Sequence, residues 1–172
     1  MDTPDTTAIA AEGDVTLIIG QEQTRYRVSS GVLKQCSPVF ASMLSESFSE
    51  GKHLADTGSI EIKLPEDNHD AARIMLMVFH GRNGELPLTL NPVVIFEVAI
   101  LADKYDCLSA MRFAGHLWCV ADELMTEYDI SARWLVAIAA CILEDEEAFA
   151  RRTADLILNH SGTYYDLARA NE

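Results

Sequence analysis

The sequence predicts an α+β fold in which a small sheet occupies the N-terminal third and helices make up the rest. Three observations carry this expectation. Val15, Leu17 and Ile19 alternate with Thr16 and Ile18, and Ser59 to Leu64 alternates again, which is the period of a half-buried strand. Pro38 and the Asn91-Pro92 pair stand where helices open. From Cys107 onward only helical periodicity remains.

Residues 1–12 are rich in Thr, Asp and Ala and read as a mobile tail. After the first strand, Gly20 to Gln23 supplies a polar turn, and Arg25-Tyr26-Arg27-Val28 resumes as its hairpin partner. Ser29 and Ser30 can cap a helix carrying Val32, Leu33 and Cys36. Pro38 opens a second helix with Val39, Phe40, Met43 and Leu44 on one face. Gly51 to Gly58 reads as a polar loop. Pro65 ends the third strand, and Asp67 or Asn68 caps a helix bearing Ile74, Met77 and Val78 that closes at Gly81. The helix opened by Asn91-Pro92 places Val94, Ile95, Val98, Ala102 and Tyr105 at helical spacing. Further helices are expected over Leu108–Leu124, Ser131–Leu143 and Glu146–His160, with a short piece after Gly162. The polar stretch Thr126–Asp129 suggests a boundary, so the chain divides into a tail (1–12), a domain (13–125) and a helical extension (126–172).

A chain of 172 residues suits this plan. Its composition, 49% hydrophobic and 23% charged, is that of a globular protein whose core needs no disulfide or metal. The net charge of −14 repels a phosphate backbone, and no Lys/Arg cluster offsets it locally. Nucleic acid and anionic membrane surfaces are therefore not expected partners. The acidic N-terminus is unlike a secretory signal, and no apolar run reaches the roughly 20 residues of a membrane span. Cys36, Cys107, Cys119 and Cys141 are scattered and form no CxxC pair, so they read as small buried hydrophobes in a reducing compartment. The expected location is the cytoplasm or the nucleus.

Catalytic chemistry is hard to find. Of the five histidines, only His116 has ligand-type neighbours: Cys119 three residues on, then Asp122 and Glu123. Nothing completes a zinc set. There is no GxSxG elbow, no phosphate-binding loop and no dinucleotide fingerprint. The acidic run Glu144–Glu147 reads as a solvated helix junction, with Glu146 and Glu147 favouring the start of the next helix. Trp118, Trp134, Tyr164 and Tyr165 offer an aromatic surface, but Trp134 shares an apolar face with Ile138 and Cys141 and reads as core. No catalytic residue, cofactor or metal ligand is expected. The remote alternative is a small helical enzyme or metal-binding protein built on His116, Cys119 and Asp122.

The order of elements, and the residues at their joints, resemble the BTB/POZ family. The resemblance runs through GDVTLIIG (13–20), YRVSSGVLKQCSPVFASML (26–44), SFSEGK (47–52), IEIKLPED (60–67) and the helix to Phe79-His80-Gly81. It ends in VAILADKYDC (98–107). Each stretch is weak, but their joint spacing is specific. The helices that follow are similar to those of short fungal members. The resemblance implies a small sheet packed on a helical cluster, with Asp14, Leu33, Ser37, Pro38, Phe40, Met43 and Tyr105 as its signature. It implies a protein–protein interaction module without catalytic activity. The family's ubiquitin-ligase adaptors bind a cullin scaffold through a hydrophobic-x-Glu motif after the second helix, and Phe48-Ser49-Glu50 has that form at that place. The alternative is a non-ligase oligomerisation or scaffold module, transcription-related or other, self-associating through helical faces.

Two departures narrow the expectation. Ser29 stands where the family commonly has His, and Ser30 where corepressor-binding members have an Arg paired with the Asp at the first strand. Residues 1–12 are also too short and polar to supply the extra strand and helix of a swapped homodimer.

Overall fold

The computed structural model describes residues 5–121 and 128–170. Strands β1 (Thr6–Ala8), β2 (Val15–Ile19), β3 (Thr24–Val28) and β4 (Ile60–Leu64) form one sheet in the order β1-β3-β2-β4. β2 and β3 are the expected antiparallel hairpin, with Leu17 opposite Tyr26. β4 lies parallel to β2, with Ile62 opposite Leu17. The alternation in β2 sets Val15, Leu17 and Ile19 into the core, and Ile18 is buried as well.

β1 corrects the reading of residues 1–12 as a tail throughout. Thr6–Ala8 pairs in parallel with Arg25–Arg27 of β3. Ile9 is buried, and its N–H and that of Ala10 both donate to the Arg27 carbonyl at 3.0 Å. The Arg82 guanidinium, 74 residues along the chain, donates to the Ala8 carbonyl at 3.0 Å. Three β-branched or small residues and one apolar anchor suffice because β3 offers an open backbone edge.

Helices α1 (Ser30–Cys36) and α2 (Pro38–Met43) share the hinge residue Ser37. Its hydroxyl accepts from Phe40 N–H at 3.1 Å, capping α2, and donates to the Tyr105 carbonyl at 2.6 Å. Leu33, Phe40 and Leu44 are fully buried, while Val32, Val39 and Met43 pack against the core with part of their surface exposed. Gly51 to Gly58 is not a loop: α3 spans Ser49–Thr57 and ends on Gly58 in the left-handed region (φ 77°). Only Gly51 and Leu54 of α3 are buried, so the sequence shows almost no apolar period there.

The two central helices are α4 (His69–Phe79), capped by Asn68, and α5 (Pro92–Lys104), capped by Asn91 with Pro92 in its first turn. At the end of α5, Tyr105 stacks on Phe40 with ring centroids 4.5 Å apart. Its hydroxyl donates to the buried Asp67 carboxylate, which also accepts from Lys104 Nζ. This clips the first helical pair to the sheet's far end.

Then follow α6 (Leu108–Val120), α7 (Ile130–Ile142), α8 (Glu146–Asn159) and α9 (Tyr164–Ala170). The expected 125/126 boundary, and the end of the helix forecast to Leu124, lie outside the described residues. The core is continuous from Ile9 to Ala148, so α7 and the start of α8 share it with the sheet. α7 packs along α5, where Ala99, Ala102, Ala139 and Ala140 are all fully buried and let the backbones approach. Gly115 permits a similar approach, since a Cβ there would lie 2.8 Å from Leu143 Cδ1. Arg152 of α8 is buried and donates from Nε to the Cys119 carbonyl at 2.6 Å, closing the C-terminal end of α6. Asp145 caps α8, with Glu146 and Glu147 in its first turn.

Two sequence expectations about buried side chains change. Cys107 and Cys119 are buried, but Cys36 is only partly so and Cys141 is exposed on α7. Trp134 is half-buried rather than core, its ring stacked on Tyr164 at 6.2 Å, while Trp118 is the buried indole.

Candidate interaction site

After α2, the Ser45 N–H folds back to the Ser42 carbonyl, and Phe48 N–H donates to the Ser45 carbonyl at 3.1 Å. This tight reversal starts α3 against the C-terminal end of α2. Gly51 makes it feasible: a Cβ there would sit 1.9 Å from the Ser45 carbonyl oxygen, so any other residue would push α3 away. Leu54 holds the helix to the core from the next turn.

Phe48 occupies the N-cap of α3 without any side-chain cap bond, and its side chain is 51% exposed. Phenylalanine is a poor cap, whereas the neighbouring serines are good ones. An exposed aromatic thus stands where local rules favour a small polar residue. Two residues on, the Glu50 carboxylate accepts from the Ser49 hydroxyl at 2.8 Å. That bond, aided by a backbone N–H, holds Glu50 below the usual carboxylate range, so it is ionised at neutral pH. A shallow hollow of about 440 Å³ opens beside it, lined by Ser49, Glu50, His53, Ile60 and Glu61. An aromatic knob and a fixed negative charge thus stand at one end of a rigid helix. An apolar side chain beside a carboxylate is a combination that protein contacts use.

A family model for the BTB/POZ domain matches residues 10–117, well over half of the chain. The chain belongs to the BTB/POZ family. BTB domains are protein-interaction modules. No curated protein sequence shows a significant match.

Within the BTB domain the signature residues Leu33, Ser37, Phe40 and Tyr105 come together around the α1–α2 hinge, whereas Asp14, exposed Pro38 and partly buried Met43 lie at its margins. None of them touches the Phe48–Glu50 pair through a described hydrogen bond. Asp14 accepts from the Ser30 N–H at 2.7 Å and from the Ser30 hydroxyl at 2.6 Å. Burial opposes its ionisation, but these bonds outweigh it and keep the carboxyl below its ordinary value. Ser30 therefore satisfies Asp14 without an arginine.

His80, which the sequence reading names only as part of the Phe79-His80-Gly81 helix end, has a defined structural role. Its Nδ1–H donates to the Leu76 carbonyl at 2.8 Å, and its Nε2 accepts from Ser29 N–H at 3.1 Å. Only the neutral ring can do both. Burial, assisted by Arg82, depresses its pKa from 6.5, against an opposing contribution from the Leu76 bond. The unfolded chain therefore takes up this proton first as pH falls. Stability contributed by neutral His80 is complete above pH 6.5 and is lost as pH drops toward the lower folded value. Thermal midpoints measured from about pH 7.5 down to about pH 5.5 should fall more steeply for the native chain than for His80→Gln. Parallel curves would show that His80 is not the titrating group.

Of the His116–Cys119–Asp122 grouping, His116 and Cys119 are among the described residues. His116 Nδ1 lies 2.6 Å from Asp145 Oδ2, Cys119 is buried beneath α8, and Asp122 and Glu123 lie outside the described residues. Among the described residues, no three His, Cys, Asp or Glu side chains could share a metal ion. Burial pushes the thiols of Cys107 and Cys119 up to about 12, so both are protonated and poor nucleophiles at neutral pH.

Proposed function

We propose that this BTB domain is an intracellular adaptor that seats a cullin-type ubiquitin-ligase scaffold on the N-terminal end of α3. Phe48 enters an apolar groove of the scaffold, and Glu50 meets a basic side chain there. The observation that carries this reading is the half-exposed Phe48 ring at an uncapped helix start, beside a carboxylate held ionised by Ser49. The net charge of −14 favours encounter with a basic surface. The four free cysteines agree with a reducing compartment, the cytoplasm or nucleus.

The test is calorimetric titration of the purified chain with a cullin N-terminal domain. Phe48→Ala combined with Glu50→Ala should weaken binding by at least about a hundredfold, since a central aromatic and its paired charge dominate such contacts. Both side chains lie on the surface, so the double variant should keep the native melting temperature. Undiminished binding would remove these residues from the site. A homotypic scaffold would instead show a concentration-dependent dimer mass and no cullin binding.

A further inference from the structure

We propose that α6 carries a second docking surface, for a protein segment presenting a large apolar side chain next to arginine or lysine. It lies apart from the Phe48 end of α3 and does not depend on the cullin reading.

Phe113, on α6, is 89% exposed. One helical turn on, Leu117 is 46% exposed, and Leu88 of the α4–α5 connection is 75% exposed. A single exposed leucine needs no explanation, but these three border one groove of about 330 Å³. Its floor is formed by Leu86, Ala110, Ala114 and Trp118. The buried Trp118 indole donates to the Pro87 carbonyl at 3.2 Å, which pins the Leu86–Leu88 wall against α6. The groove is thus built rather than left by a loose loop.

Phe113 also borders a second hollow, of about 540 Å³, where α6 faces the α7–α8 turn. Glu144, Asp145, Glu146 and Glu147 line it together with Arg112 and His116. Asp145 is committed: it accepts from Ala148 N–H and pairs with His116. Glu144, Glu146 and Glu147 are exposed, and none is in an ion pair among the described residues. An apolar groove therefore adjoins three exposed carboxylates that form no ion pair among the described residues, with Phe113 as the ridge between them. An apolar anchor in the groove brings a neighbouring cationic side chain over that ridge to the acids. A second copy of this chain fits poorly. A two-fold contact would set the same acids against each other on a chain of net charge −14.

The test is selection of twelve-residue random peptides displayed on phage, with the full chain as bait. Enriched peptides should pair Leu, Ile, Met or Phe with Arg or Lys. As synthetic peptides they should bind Phe113→Asp at least about tenfold more weakly, and the Glu146→Lys, Glu147→Lys double variant about fivefold more weakly. Glu22→Lys, which alters charge at the distant hairpin turn, should bind as the native chain does. Phe113 and Glu22 are exposed, so their variants should keep the native melting temperature, while the double variant replaces two acids in the first turn of α8 and should melt slightly earlier without losing its cooperative transition. The proposal is overturned if nothing is enriched or if the enriched peptides are acidic. It is equally overturned if Glu22→Lys weakens binding as much as the double variant. Peptides that lose binding to the Phe48→Ala, Glu50→Ala chain but keep it with Phe113→Asp would place docking at α3 and remove it from α6. A native dimer that Phe113→Asp dissolves would assign the face to a second copy, also against the proposal.

Discussion

Phe40→Ala should lower the free energy of unfolding by about 3–5 kcal/mol, the upper range for a truncated core aromatic. Phe40 is fully buried at the middle of α2 and lies flat on Tyr105, with ring planes 4° apart. Removing it takes away transfer free energy and leaves a cavity, because Tyr105 cannot move in to fill the space. Its hydroxyl is held by Asp67, and its backbone carbonyl by the Ser37 hydroxyl. The same carbonyl bond ties the α1–α2 hinge to α5, so the loosening should spread to the reversal that starts α3. Chemical denaturation at equilibrium measures the loss. A change below about 1 kcal/mol would mean that the site collapses far more freely than this packing allows. Leu33→Ala should cost about 2–5 kcal/mol on the same grounds, without the aromatic contribution.

The second large effect concerns the extension. A chain ended after residue 121 should show no cooperative thermal transition and should elute as aggregate. The family model stops at residue 117, which invites exactly such a cut. Yet Leu135, Val136, Ala139, Ala140 and Leu143 belong to the buried interior, and α7 lies along α5. Uncovering each large side chain costs about 1.5–3 kcal/mol, and a domain's whole margin is only about 5–15 kcal/mol. The cut also strips Arg152 from the Cys119 carbonyl and exposes the apolar side of α5 to other copies. Circular dichroism melting with size-exclusion chromatography decides the matter. A monomer that melts within a few degrees of the native chain would show that the first 121 residues are self-sufficient.

These two predictions mark where the sequence was readable. Pro38, Asp67-Asn68 and Asn91-Pro92 announce helix starts because capping is local chemistry: Pro38 and Pro92 open their helices as expected, Asn91 caps, and of the two candidates Asp67 and Asn68 it is Asn68 that caps. The hairpin and β4 declare themselves because one face of each is buried. β1 does not, since three residues on a backbone edge leave no side-chain period. α3 escapes for a related reason: its burial is limited to Gly51 and Leu54, and a glycine in a polar run looks like a turn. The continuity of the core into α7 was hidden because alanines at a tight helix crossing carry little hydrophobic signal. Cys141 and Trp134 were misplaced because an apolar helix face does not say which of its edges meets a neighbour. Phe48 and Glu50 could be picked out as a motif, but their presentation depends on a backbone approach that no periodicity encodes.

That approach has a consequence for how recognition would be inherited and measured. The Ser45 carbonyl leaves no room for a methyl group at Gly51, so the backbone that carries Phe48 and Glu50 is placed by main-chain packing, and the Ser49 hydroxyl then holds the Glu50 carboxylate. A contact surface mounted this way has little freedom to surrender when a partner arrives, and the ordering cost of association should be correspondingly small. It also means that the residue most able to silence the surface is one no partner ever touches. Variants that lose binding through Gly51 would look, in a map of contacts, like damage at a distance.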